Sequence, residues 1–123
     1  MAASSAGKVS RSTDTGRSFG IESIIEKSAT VDPSAIVTGG SYVGHNASIG
    51  AGTVIDSSVI FNEVQIASGS RVTNSIISTA ANVGSDCHIV DTVIAERAFI
   101  GSNNELEAGT LVFPDERIEP VTT

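Results

Sequence analysis

Several things are scarce in this chain, and each shortage removes a class of protein. It has one cysteine, one tyrosine and no tryptophan in 123 residues. A lone cysteine, Cys87, excludes an internal disulfide framework and suits a reducing compartment, so a cytoplasmic setting is expected. No apolar run approaches the roughly 18 to 20 residues of a membrane span, and no membrane partner is expected. Positive charge is short as well. Seven lysines and arginines stand against fourteen acids. Three of the seven, Lys8, Arg11 and Arg17, lie in the opening stretch MAASSAGKVSRSTDTGRSFG. From Glu22 onward, four (Lys27, Arg71, Arg97, Arg117) face thirteen acids, a balance of −9. Such a body repels a phosphate backbone, which argues against nucleic acid as a partner. The opening stretch is rich in Ser, Ala and Gly and lacks the apolar core of a secretory signal. A disordered tail over 1–18 is expected, in preference to a transit peptide.

What the chain has in abundance is a repeat. The triplets Ser58-Val59-Ile60, Ser75-Ile76-Ile77 and Thr92-Val93-Ile94 recur every seventeen residues. Stepping by six from Ile25, with an occasional five, visits Val31, Val37, Val43, Ile49, Ile55, Ile60, Ile66, Val72, Ile77, Val83, Ile89, Ile94, Ile100, Leu106, Val112 and Ile118. Every stop is Val, Ile or Leu. Two residues before each stop the side chain is small through most of the walk, as at Ser41, Ala47, Thr53, Ser58, Ala81, Cys87 and Ala98. Residues two apart share a face of a strand, so both point inward. Glycine follows the stop at 44, 50, 84 and 101, and Asn, Asp or Ser follow at many corners. These types tolerate the positive φ of sharp turns.

A strand of two or three residues followed by a corner cannot pair with its sequence neighbour. It pairs with the equivalent strand one coil away, which makes a parallel β-helix with about 4.8 Å between coils. Three hexads give an eighteen-residue coil, as from Val31 to Ile49 and from Ile94 to Val112. Between Ile55 and Leu106 one side in three loses a residue (55→60, 72→77, 89→94), and the coil shortens to seventeen. The fold expected is therefore all-β, a triangular prism of five to six coils over 19–118, with a short tail over 119–123. Phe19 to Ile24 is expected to cap one end and the segment around Pro114 and Pro120 the other.

The residue just before each stop should face solvent, and sorting those positions by face separates them sharply. One face reads Ile36, Val54, Arg71, His88, Glu105, and a second reads Thr30, Ser48, Gln65, Asn82, Phe99, Arg117. The third reads Ile24, Tyr42, Val59, Ile76, Val93, Leu111, with Phe61 and Phe113 one residue past the stops beside it. A continuous apolar stripe with two polar faces around it marks a contact surface, whereas β-propensity alone would spread Val and Ile over all three. These eight residues are the candidate interface.

The steps VGHNAS, IGAGTV, VGSDCH and IGSNNE resemble the hexapeptide-repeat left-handed β-helix family. The left hand comes from that resemblance, since generic crossover rules favour the right. The stretch from Ile49 to Pro114, with its five-residue steps and its Gly109-Thr110-Leu111-Val112-Phe113-Pro114 segment, is similar to the C-terminal domain of sugar-phosphate nucleotidyltransferases of the mannose-1-phosphate guanylyltransferase type. That resemblance implies a non-catalytic module for oligomerisation or effector response, acting in sugar-nucleotide synthesis. Its partner would be a second copy or a nucleotidyltransferase catalytic domain. The family's catalytic half is not matched in these 123 residues. Ala6-Gly7-Lys8 has no strand before it and no glycine at phosphate-loop spacing.

Hexapeptide acyltransferases are similar in fold and use a histidine base, which makes His45 and His88 the alternative catalytic candidates. Four scattered basic residues offer little to a polyanionic coenzyme A, and no long loop interrupts the hexads. Two histidines are too few for a three-histidine zinc site, so no metal and no cofactor are expected. Cys87 falls on an inward small position and reads as core, not as a nucleophile. No face carries the threonine ranks of an ice-binding surface, and a purely structural scaffold is the remaining alternative.

Overall fold

A computed structural model describes residues 22–122 of the chain. Coil one holds β1 (Ile24–Ile25), β2 (Thr30–Val31) and β3 (Ile36–Thr38), and coil two β4 (Tyr42–Val43), β5 (Ser48–Ile49) and β6 (Val54–Asp56). Coil three holds β7 (Val59–Ile60), β8 (Gln65–Ile66) and β9 (Arg71–Thr73), and coil four β10 (Ile76–Ile77), β11 (Asn82–Val83) and β12 (His88–Val90). Coil five holds β13 (Val93–Ile94), β14 (Phe99–Ile100) and β15 (Glu105–Leu106), and the last, partial coil β16 (Leu111–Val112) and β17 (Arg117–Ile118).

Strands pair only between coils, always in parallel, and form three sheets. Sheet A joins β1-β4-β7-β10-β13-β16, sheet B joins β2-β5-β8-β11-β14-β17, and sheet C joins β3-β6-β9-β12-β15. The register follows the walk of aliphatics at each step. Val31 pairs with Ile49 and Ile94 with Val112 across eighteen residues, while Ile60 pairs with Ile77 and Val72 with Ile89 across seventeen. Inward aliphatics from Val43 to Val112 form one continuous buried column, joined by Ala47, Val64, Ala81, Cys87 and Ala98. Each contributes about 1.5–3 kcal/mol on burial. The sequence and the coil geometry together define a left-handed parallel β-helix.

Why one side of the prism is short becomes clear at the corner between sheets C and A. At several six-residue corners the amide two before the inward stop donates within the turn, as Ala47 N to Gly44 O and Ala81 N to Ser78 O, whereas Ser41 N and Cys87 N donate to Ser23 Oγ and Ser70 Oγ. A five-residue corner has no room for that bond. There the amide donates to a hydroxyl in the preceding coil: Ser58 N to Ser41 Oγ, Ser75 N to Ser58 Oγ and Thr92 N to Ser75 Oγ, each at 3.0 Å. The short-corner hydroxyls also donate to the carbonyl two residues earlier, Ser58 Oγ to Asp56 O, Ser75 Oγ to Thr73 O and Thr92 Oγ1 to Val90 O, each at 2.8 Å. A buried amide without such a partner would be costly, so the hydroxyl is required there for its chemistry as well as its size.

The corner glycines need a correction. Gly44, Gly50, Gly84 and Gly101 do not adopt positive φ; the left-handed residues come two later, at Asn46, Gly52, Asp86 and Asn103. A Cβ at Gly84 would lie 2.6 Å from Ser102 N, and one at Gly101 2.2 Å from Pro120 N. Close approach of the next coil, not backbone freedom, selects glycine at these places. At the C-terminal end the chain beyond β17 runs over this corner, where Val121 N donates to Ser102 O and Asn104 Nδ2 to Glu119 O. Residues 1–21, which include the expected tail and half of the expected N-terminal cap, lie outside the described residues.

Candidate functional site

The six residues that precede the stops on sheet A stack in one row, because each pairs in register with the next: Ile24 with Tyr42, Tyr42 with Val59, Val59 with Ile76, Ile76 with Val93 and Val93 with Leu111. Alternation along the strand turns Ile25, Val43, Ile60, Ile77, Ile94 and Val112 inward and leaves this row outside. Ile24, Ile76, Val93 and Leu111 are exposed, as are Phe61 and Phe113 in the adjoining row, with 41–61% of each accessible. Tyr42 and Val59 are half-buried. All eight candidate interface residues thus share one face.

Sheets B and C differ from it. The outward residues of sheet B are polar apart from Phe99, whose ring lies 4.3 Å beneath the Arg117 guanidinium. Sheet C begins with Ile36 and Val54 and continues with Arg71, His88 and Glu105. A shallow depression on sheet B, bordered by Ser48, Gln65, Asn82 and Ser85, contains no ionisable side chain.

A polar cluster borders the apolar row at its first two coils. Tyr42 Oη donates to Glu26 Oε2 at 2.8 Å. Partial burial raises the Tyr42 phenol above its ordinary value, and the Glu26 carboxylate adds to this by hydrogen bond and by charge. His45 Nε2 lies 3.8 Å from Glu26 Oε1, and His45 Nδ1 lies 3.5 Å from Ser28 Oγ. Both ring nitrogens of His45 are therefore turned to groups of its own chain. His88 projects from sheet C between Arg71 and Glu105. The fold does not bring the two histidines together, since one sits at the corner after sheet A and the other on a different face.

Cys87 is fully buried, and its thiol donates to Gly101 O at 3.2 Å, which makes it a core residue. Among the described residues no group of three His, Cys, Asp or Glu side chains is placed to hold a metal ion. Among the described residues no helix is long and apolar enough to cross a membrane. Reading the sequence missed the Tyr42–Glu26–His45 cluster. Glu26 lies sixteen and nineteen residues from Tyr42 and His45, about one coil step, so only the register could have revealed it.

Stacked hexads, three parallel sheets and a single aliphatic column define a hexapeptide-repeat left-handed β-helix protein. Residues 20–121 match the family model of the GMPPB C-terminal domain, and the chain belongs to that family. A search of curated proteins found no match. Among solved structures, a mutant GDP-perosamine N-acetyltransferase from Caulobacter crescentus, in complex with CoA and GDP-perosamine, is similar with a TM-score of 0.60 and 19% identity. That match covers 81% of this chain and 52% of the other, so the chain spans about half the length of that relative. An acetyltransferase-like protein of Bacillus cereus is similar with a TM-score of 0.51 and 25% identity, over 81% of this chain and 70% of that one. At these identities the likeness is one of fold.

Proposed function

We propose that this β-helix is a non-catalytic assembly and regulatory module of a sugar-phosphate nucleotidyltransferase system, and that it associates through sheet A. The observation that carries the reading is the family match over 20–121 in a molecule whose one apolar face runs unbroken through six coils. Desolvating such a row is favourable, at about 25 cal/mol for each Å² buried, and a partner surface packed on sheet A supplies that burial. A cytoplasmic setting suits the single buried cysteine.

An acyltransferase reading has less behind it. The described body is strongly acidic, which opposes a polyanionic coenzyme, and the ring nitrogens of His45 face Glu26 and Ser28. The test of the main reading is Ile76→Arg. A charge in the middle of the apolar row should lower the mass measured by light scattering and leave the circular dichroism spectrum unchanged. A wild-type chain that stays monomeric and retains no nucleotidyltransferase would end it.

A further inference from the structure

We propose that the occupant of sheet A is a second copy of this chain, packed antiparallel about a two-fold axis over β10. Phe61 of each copy then seats against the partner's Ala95, and Phe113 against the partner's Gly44. This rests on the reading of sheet A as the contact face and adds to it the occupant, the orientation and the register.

A second row runs beside the apolar one along the edge of sheet A. In coil order it reads Glu26, Gly44, Phe61, Ser78, Ala95, Phe113. Two aromatic side chains are exposed there, whereas Gly44 is buried and Ser78 and Ala95 are half-buried. The row therefore sets projections at Phe61 and Phe113 among recesses at Gly44, Ser78 and Ala95, with a coil spacing of about 4.8 Å. A two-fold axis parallel to the strands reverses the stacking direction and keeps corresponding corners on the same side. Centred on coil four, it sets coil three opposite coil five and coil two opposite coil six. Each aromatic then meets a small residue and Ser78 meets Ser78, as an isologous interface requires. In the apolar row Ile76 meets Ile76, Val59 meets the partner's Val93, and Tyr42 meets the partner's Leu111.

Charge at the neighbouring corner agrees with this register. Glu63 comes opposite the partner's Arg97. Arg97 and Glu63 are exposed, and Arg97 already holds Asp115 of its own chain at 2.8 Å. Half a coil in one direction, centred between β10 and β13, Phe61 would meet Phe113, the recesses would face each other emptily, and Glu63 would face Asp115. Half a coil in the other direction, centred between β7 and β10, Phe113 would rest on Glu26, whose carboxylate is already bonded to Tyr42. Shape and charge both select the register centred on β10.

The experiment is a swap between copies of the full chain, read by sedimentation equilibrium. Glu63→Arg and Arg97→Glu each oppose like charges twice in a homodimer, and each should weaken it about tenfold. An equimolar mixture of the two variants opposes unlike charges twice and should recover a heterodimer of near wild-type affinity. Phe61→Ala mixed with Ala95→Phe makes the same test by size, independent of charge. Circular dichroism of each variant confirms the fold. If the mixtures bind no better than the single variants while Ile76→Arg still dissociates the dimer, the antiparallel register is wrong and sheet A remains the interface. If the wild type is monomeric at every concentration, both fall.

Discussion

At the residue scale, the hydroxyls of the short corner carry more of the fold than their size suggests. Ser75 Oγ accepts from Thr92 N in the interior and donates to Thr73 O at its edge. Replacing Ser75 with Ala keeps the volume and strands the Thr92 amide. Chemical denaturation should show a loss of about 1–3 kcal/mol. Tyr42 offers a second residue-level test, because it is the sole tyrosine in a chain without tryptophan. Its phenolate absorbance should appear only above the ordinary midpoint near pH 10, and Glu26→Gln should bring the midpoint back toward it. A folded-state value raised above the unfolded one means that the fold holds this proton more tightly. The associated stability is complete below pH 10 and is lost as pH rises beyond it.

At the element scale, the corners store strain in a regular place. After sheet A the left-handed residues are Asn46, Glu63, Ala80, Arg97 and Asp115. Asn and Asp adopt this conformation readily, but Ala80, with φ of 64°, has no side-chain compensation. Ala80→Gly should raise the midpoint of thermal unfolding, by about 0.5–1 kcal/mol in stability once the greater freedom of the unfolded glycine is deducted. An unchanged or lower midpoint would mean that the Ala80 methyl contributes packing that outweighs the strain. The strands are too short to persist alone. Two residues with an inward aliphatic hold their shape because the coils above and below supply every backbone bond.

At the scale of the whole molecule, that dependence makes the stack a one-dimensional array in which a break in the middle isolates two short pieces. Val72 is fully buried at the centre of sheet C, between Ile55 and Ile89. Val72→Asp buries a charge with no partner, which costs several kcal/mol. The β signal in circular dichroism should be lost from the whole chain, not from one coil. Retention of a native spectrum at neutral pH would contradict the continuous column. Ile76→Arg, one strand along and facing outward, should by contrast change only assembly. The pair separates inward from outward aliphatics that a hydropathy profile would merge.

Much of this was legible because each coil repeats the same demand. The inward column, the three faces, the seventeen-residue register and the eight residues of the apolar face follow from a period of six with a defined shortening. The hand of the helix did not follow from the period and came only with the family resemblance. The corner glycines were legible as a pattern but not in their cause, since their lack of a Cβ answers to the next coil and not to their own dihedral angles. The role of Ser58, Ser75 and Thr92 as a ladder was hidden for a related reason, because a small inward hydroxyl looks the same whether or not its oxygen is used. By itself the sequence determined which side chains turn in and which turn out, because alternation along a strand is local. Only the tertiary structure decided which polar groups meet across coils and which aromatics stand over recesses, because those neighbours are a full coil or more apart along the chain.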